Sequence, residues 1–539
     1  MASQIVLLSG RVSTGKTTLS TGLVKWFGAH VLKTKKLIAE AAGKKLEPER
    51  GAHQRYGQLL DRRTGGEWVA RSLTRFVEGL DGNAVIVVDA VRIIEQVHAI
   101  RRAYGGIVFH IHLDAEPEAL IQRYKRKQRS KGFKEFSSYA EVSSNRTEKR
   151  VQSLASAADA VIKTDRCTEN DVVMRAAAHL RLFGRENLKL VDVLVGGEYG
   201  SEGKGHISAY LAPEYDLLIR VGGPNAGHKV YEDPEPYIHH QLPSGTRRSN
   251  AQLLIGPGAV IDVPGLLKEI AECKVSRERL CIDRKAMVID ARDIAYEKRT
   301  LVGSIGSTGR GVGAATARKI MRGADGRPVL LAEDCRDLEP FVGETRWELE
   351  KAFRHGRKIF LEGTQGTGLS LHHGHYPHVT SRDTAVAGCL SEAGIAPSRV
   401  RKIIMVCRTY PIRVKSPSRI RTSGPMSHDL TWRTIANRSG NDERQLRQLE
   451  IGSTSGRRRR VGEFDWDLFR RAVTLNGPTD IALTFTDYIS AQNTKARRFE
   501  QLTEETIQFI QELERVASAP VSLISTRFNH RSIIDRRCW

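Results

Sequence analysis

The feature that most constrains this chain is a glycine loop set between a short apolar run and a helix-period stretch near its start. Apolar residues 5–8 lead into GRVSTGKTT, which fits G-x-x-x-x-G-K-[ST] over residues 10–17. Such a loop works only when a buried strand delivers the chain to the first glycine and a helix carries it away, so that backbone amides converge on phosphate oxygens. This commits the first part of the chain to an α/β fold with a parallel sheet. Gly10 and Gly15 make the turn, Lys16 brings charge to the β and γ phosphates, Thr17 offers a hydroxyl to magnesium, and Thr18 continues the segment. ATP with Mg2+ is the expected ligand.

Apolar runs at 84–88, 107–113 and 160–162 read as further buried strands, with helix-period stretches between them and an amphipathic stretch at 169–182. The run 84–88 ends in Asp89, and a carboxylate at a strand end beside such a loop suits the metal shell. Residues 183–187, FGREN, read as a short linker. A fresh apolar strand at 190–195 then enters a second glycine loop, GGEYGSEGKGH, whose spacing differs from that of the first. The expected division is one domain over residues 1–185 and a larger one over 190–539.

Charge narrows the partners. The 85 Lys and Arg against 62 Asp and Glu leave a formal net charge of +23, the footprint of a protein that meets polyanions. Basic residues are densest at Arg123, Lys125, Arg126, Lys127, Arg129, Lys131 and Lys134, with no carboxylate between Glu118 and Glu135. Only Tyr124 and Phe133 interleave that segment, too few for stacking along a nucleic-acid strand, so nucleotides are the better-matched partners. No apolar stretch approaches the roughly 18 residues of a membrane helix and no basic leader opens the chain, so a cytoplasmic protein is expected. The seven cysteines are scattered without a CxxC pair and read as reduced thiols.

Over residues 1–185, the loop, VVDAVR and HLDAEPEALIQRYKRKQR together resemble small P-loop nucleoside monophosphate kinases. That resemblance implies an arginine-rich lid, for which Arg123, Arg126 and Arg129 are candidates, and an acceptor-phosphate site, for which Arg50, Arg55 and Arg92 are candidates.

From the second loop onward come GGPNAGH (222–228), LPSG (242–245), GSTGRGVG (306–313), EGTQGTGL (362–369), HYPHVTS (375–381) and GSTSGRRRR (452–460). In this order and spacing, residues 190–539 resemble adenylosuccinate synthetase, an α/β fold with a large central sheet. That family joins L-aspartate to the 6-position of IMP using GTP, through a 6-phosphoryl intermediate. The resemblance implies that Gly200, Glu202, Gly203, Lys204 and Gly205 hold the GTP phosphates and that His228 is the general acid on the 6-oxygen. It also implies Gly227 and the residue at 201 as magnesium ligands, and Asn225, Thr308, Arg322, Gln365 and Thr380 as purine-nucleotide contacts, Gln365 acting beside the reacting atoms as well. In the family the arginine matched by Arg322 reaches across a homodimer interface. Thr454, Ser455, Arg457 and Arg459 match the aspartate loop, where two guanidiniums can clamp a dicarboxylate, and Asp487 and Ser525 match contacts to guanine.

Two positions depart from the family. Its loop carries Asp, the proposed base at purine N1, where this chain has Ser201, and a hydroxyl has no useful basicity near neutral pH. Ordinary IMP chemistry, an inactive nucleotide-binding sensor, and a 2-aminopurine substrate remain open readings. The last resembles a phage branch that makes 2-aminoadenylosuccinate from dGMP, with a small residue here and a compact C-terminal domain. Glu202 or a water-mediated partner is a candidate for the missing base. The second departure is Phe485 in place of a Lys beside the guanine-reading Asp487, which keeps ATP open as the donor beside GTP. The expectation is a bifunctional enzyme, a nucleotide kinase fused to a ligase; the rival is a nucleic-acid-associated regulatory NTPase.

Overall fold

The computed structural model describes residues 4–43, 49–80, 84–127, 138–183, 188–324, 326–418, 422–452 and 456–539. It divides into two compact units, Met1–Phe183 and Gly184–Trp539. The expected α/β architecture is present, with a parallel sheet in the first unit and a larger sheet in the second. The linker residues 184–187 lie outside the described residues.

In the first unit five parallel strands run in the order His30–Lys33, Val85–Asp89, Gln4–Ser9, Val108–Asp114 and Ala160–Lys163. The central strand is apolar on both faces because helices cover both: Ile5, Val6, Leu7 and Leu8 are wholly buried. Each such side chain contributes about 1.5–3 kcal/mol through its burial. Four of these strands match apolar runs in the sequence to within a residue at each end. His30–Lys33 was not anticipated: it is an edge strand with one buried residue, Leu32, so no apolar run marks it. Because Gln4–Ser9 lies between strands reached by crossovers on either side, its C-terminal end opens on a topological switch point, where α/β sheets bind ligands.

The second unit is built on ten strands. From edge to edge they are Val342–Gly343, Leu280–Asp283, Gln252–Ile255, Leu217–Arg220, Ile359–Glu362, Val191–Gly196, Val400–Arg408, Asp480–Thr484, Val521–Ser525 and Ile533–Asp535. All pairings are parallel except the last. Period-two alternation splits the core into two layers: Val191, Val193 and Val195 pack on one face with Ile219, Leu361 and Phe469, while Leu194 packs on the other with Leu218, Leu253 and Phe360. Asp192 interrupts the second face, and its buried carboxylate is matched by Tyr215 Oη at 2.6 Å and Arg401 Nε at 2.9 Å. The first strand, Val191–Gly196, is again central, so the second glycine loop also leaves the sheet at a switch point.

Candidate functional site

In the first unit the loop wraps the start of helix Lys16–Phe27, whose N-cap is Gly15. Lys16 Nζ donates to the carbonyls of Gly10 at 2.6 Å and Arg11 at 2.7 Å, which folds the ammonium over the loop. Asp89 closes the neighbouring strand and accepts from Ser20 Oγ at 3.2 Å. Gly15, Lys16, Thr17, Thr18, Asp89, Arg92, Arg123 and Arg126 line one cavity of about 920 Å3. Two expected lid or acceptor arginines are anchored within the unit: Arg123 donates to Thr164 Oγ1 and its carbonyl, both at 2.8 Å, and Arg92 pairs with buried Glu148 at 2.7 Å. Arg55 stands apart from the cavity lining, exposed and 3.8 Å from Glu49. Arg50 begins helix Arg50–Thr64, and Arg129 lies outside the described residues.

In the second unit the loop from Gly200 to Gly205 is held by its own carboxylate. Glu202, buried, accepts from the Gly200 amide at 2.7 Å and the Glu198 amide at 3.2 Å and also pairs with Lys204. Two glycines make this packing possible: a Cβ on Gly366 would fall 2.2 Å from Glu202 Oε1, and one on Gly205 would fall 2.7 Å from His228 Cβ. Glu202 thus fastens the loop from inside. Ser201 is exposed, sits at φ 59° in the left-handed region, and its carbonyl accepts from Arg408 Nη1 at 3.2 Å.

His228, which follows Gly227 at the start of strand His228–Val230, is buried, and its Nδ1 bonds Glu362 Oε1. Glu362, at the end of its strand, also accepts from Ser244 Oγ, from the Ser244 amide at 2.7 Å and from Ser208 Oγ at 2.9 Å, with Arg220 at 3.7 Å. Burial pushes the His228 imidazole down to about 4, Arg220 adds to this, and the Glu362 contact opposes it. Burial would raise the Glu362 carboxyl, but the bond from His228, Arg220 and Ser244 outweigh it and hold it at about 2. We take the carboxylate as ionised and the imidazole as neutral at pH 7, with Nδ1–H donating and Nε2 left as an acceptor.

Beside this pair, Gln365 Nε2 donates to Asn225 Oδ1 at 3.1 Å, and Asn225 Nδ2 reaches Thr380 Oγ1 at 3.5 Å. Arg408, wholly buried, pairs with Glu450 at 2.8 Å; Glu450 also accepts from Arg459 at 2.8 Å, so the loop of Ser201 and the segment carrying Arg459 share one carboxylate. The Arg408 guanidinium lies 4.0 Å from the ring of Phe485. Asp487 follows, with Oδ1 buried and unpartnered among the described residues, and burial pushes its carboxyl up to about 7. The Ser525 carbonyl accepts from Thr486 Oγ1 at 3.2 Å, beside Asp487 in sequence.

The structure therefore brings the loop, His228, Gln365, Asn225, Thr380, Phe485 and Arg459 into one connected constellation. Thr308 lies in the turn before helix Val312–Met321 and exposed Arg322 caps that helix, and no described side-chain contact ties either to the constellation. The Arg457 carbonyl accepts from the Gly452 amide at 2.8 Å; Thr454 and Ser455 fall outside the described residues. Sequence reasoning passed over Glu362, Ser244, Arg408 and Glu450 as site residues. Glu362 begins EGTQGTGL and Ser244 lies in LPSG, and Glu362, like Asp89, ends an apolar run beside a glycine loop, which was the available signal. Arg408 and Glu450 carry no local signal.

A switch-point glycine loop backed by a buried lysine–glutamate pair and a histidine–glutamate pair defines a phosphate-handling α/β nucleotide enzyme. Residues 193–333 and 329–494 match the family described as adenylosuccinate synthetase, and the chain belongs to that family, which makes its C-terminal unit a ligase. The adenylosuccinate synthetase of Thermococcus onnurineus is 36% identical over 354 residues, 64% of this chain and 98% of that protein. The fully ligated adenylosuccinate synthetase of Plasmodium falciparum shares the fold at a TM-score of 0.56 and 20% identity, covering 65% of this chain and 100% of that one. The cyanophage S-2L succinoaminodeoxyadenylate synthetase PurZ, bound to dGMP and to dATP as an energy donor, matches at 0.53 and 26% identity over 65% of this chain and 96% of its own. No described helix is long and apolar enough to cross a membrane.

Proposed function

We propose that the C-terminal unit joins the amine of L-aspartate to carbon 6 of a 2-aminopurine nucleoside monophosphate, GMP or dGMP, with GTP as phosphoryl donor. The N-terminal unit is read as an ATP-dependent nucleotide kinase on the same class of small anions. The observation that carries the first reading is Ser201. Of the two carboxylates in the glycine loop, Glu202 is occupied in holding it and Glu198 is buried, accepting from the Arg408 amide at 3.3 Å, so position 201 presents a small hydroxyl where the family has a base. A hydroxyl can accept from a 2-amino group and leaves room for it, where a carboxylate would crowd C2. The 26% likeness to a phage enzyme bound to dGMP supports the same reading.

In this reading the purine N1 proton passes to solvent water, the 6-oxygen takes the γ-phosphoryl group as the donor leaves as its diphosphate, and the aspartate amine then displaces phosphate from C6 and gives up a proton. Lys204 and the loop amides bind the donor phosphates. Glu362 orients His228 so that Nε2 faces the reacting oxygen, and a phosphoryl anion arriving there favours the imidazolium that can donate. Gln365, Asn225 and Thr380 hold the base, Thr308 and Arg322 the substrate phosphate, the latter within a homodimer, and Arg457 and Arg459 with Thr454 and Ser455 the dicarboxylate. Asp487, ionised above about pH 7, accepts from guanine N1 and N2. Magnesium would be held at Ser201 and the Gly227 carbonyl here, and at Thr17 with Asp89 in the N-terminal unit. Sparse oxygen donors of this kind fit an ion that takes most of its shell from phosphates and water, and it would neutralise charge on the transferring group.

The test is aspartate-dependent ligation with IMP, GMP and dGMP side by side, each with GTP or ATP. Product from GMP or dGMP is expected, and Ser201→Asp should move preference toward IMP. Product from IMP alone in the unaltered protein would sink the proposal.

A further inference from the structure

The cavity of the N-terminal unit extends well beyond its phosphate loop. Its far part is lined by Gln54, Gln58 and Asp61, which sit at i, i+4 and i+7 on helix Arg50–Thr64 and so share one face, together with Trp68 and Gln96. Asp61 is fixed there from one side. Its Oδ1 accepts from Trp68 Nε1 at 2.7 Å and from buried Gln96 Nε2 at 2.9 Å, and Gln96 is itself oriented by the Arg92 amide, which donates to Gln96 Oε1 at 2.8 Å. Among the described residues Oδ2 receives no hydrogen bond and no lysine or arginine forms an ion pair with the carboxylate; Arg150 acts on it only at longer range and is itself paired with Glu95 at 2.9 Å.

Half-buried carboxylates without a cation carry a desolvation cost that a ligand donor can offset. Burial accordingly raises the Asp61 carboxyl above its ordinary value, against the opposing bonds from Trp68 and Gln96. A negative corner repels phosphate, so the acceptor's phosphate belongs with the basic lining, Arg92 and Lys33, and its neutral part belongs at Asp61. Trp68 adds a flat aromatic wall, which suits a planar ring.

We infer that the Asp61, Trp68 and Gln96 corner is the acceptor-base site of the kinase unit, and that it takes a purine presenting adjacent ring N–H and 2-amino donors to Asp61 Oδ2. This rests on the kinase reading given above. It makes Asp61 the selecting group: a guanine-type edge offers donors to the carboxylate, whereas the corresponding edge of adenine offers a ring acceptor that the carboxylate repels. Asp61→Asn keeps the shape but should invert the choice. The Trp68 and Gln96 donors retain the amide oxygen on their side, which turns the Asn amino group toward the ligand as a donor.

The experiment uses the full chain with ATP and Mg2+ and measures kcat/KM for phosphorylation of GMP, dGMP, AMP and dAMP, with ATP binding and monophosphate binding followed separately by calorimetry. A guanine-type preference of at least about tenfold, lost or reversed in Asp61→Asn while ATP affinity is unchanged, is the expected result. Phosphorylation of all four with equal kcat/KM, or a preference unmoved in Asp61→Asn, overturns the base site and leaves the kinase reading standing. ATP binding with no phosphorylation of any monophosphate overturns the kinase reading and this site with it. Should Asp61→Asn fail to bind ATP, the GMP-against-AMP affinities of the unaltered chain decide the matter, equal values refuting the inference.

Discussion

Replacing Glu362 by Gln tests the core of the ligase site, because this one carboxylate holds His228, Ser244, Ser208 and Arg220 at once. The amide keeps the volume but offers one acceptor oxygen to several donors and turns an N–H2 toward others, leaving Arg220 without its buried counter-charge. Holding the carboxyl at about 2 against an ordinary 4.5 corresponds to a contribution of about 3 kcal/mol at pH 7, in line with the loss expected on breaking a buried ion pair. Its sign with pH follows from the depressed folded value. The contribution is complete above the unfolded carboxyl value and is lost as pH falls toward about 2, so the gap between the two proteins is constant above about pH 5.5 and about 1 kcal/mol narrower at pH 4. Between pH 6.5 and about 4 the depressed His228 imidazole costs stability in both proteins alike and leaves the gap between them unchanged. Urea unfolding of the full chain by tryptophan fluorescence measures this, four of the six tryptophans (Trp347, Trp432, Trp466 and Trp539) belonging to the C-terminal unit. Ligation kcat should fall about 10- to 100-fold as His228 loses its orienting partner. A gap under about 1 kcal/mol at pH 7, or one that widens toward pH 4, would refute the reasoning.

Two further outcomes separate the units and the bases they read. Lys16→Ala should abolish ATP-dependent phosphorylation of monophosphates while leaving aspartate ligation within about twofold, and Lys204→Ala should do the reverse; parallel assays of both activities on each variant check this. Because burial raises the Asp487 carboxyl to about 7, preference for GTP over ATP should strengthen as pH rises from 6 to 8, and Asp487→Asn should remove both the preference and its pH dependence, read as the ratio of kcat/KM for the two donors.

Much of the fold was legible locally. Residues 5–8, 84–88, 107–113 and 160–162 announced four of the five strands of the first sheet, since a strand buried on both faces needs a continuous apolar run whatever surrounds it. His30–Lys33 escaped because an edge strand needs no such run. In the second unit the glycine loop, NAGH and EGTQG were visible as motifs, whereas the buried contacts of Glu362 and Arg408 were not. His228 meets Glu362 across 134 residues, and Arg408 meets Ser201 across 207. Nothing in a window of ten or twenty residues records such a meeting.

The sequence by itself determined that two loops suited to phosphate would form, because a glycine loop between strand and helix carries its amides and its lysine wherever the sheet is built. It also placed Ser201 where related chains have a carboxylate, and no folding event can alter that. Only the tertiary structure decided what the neighbouring charges do. It turned Glu202 inward to fasten the loop, set Glu362 beneath His228, joined Arg408 and Arg459 through Glu450, and left one oxygen of Asp61, in the lining of the N-terminal cavity, without a hydrogen bond among the described residues. The physical reason is that the state and use of a buried ionisable group depend on which partners the sheet order brings within hydrogen-bonding distance, and that order is a property of the packed chain.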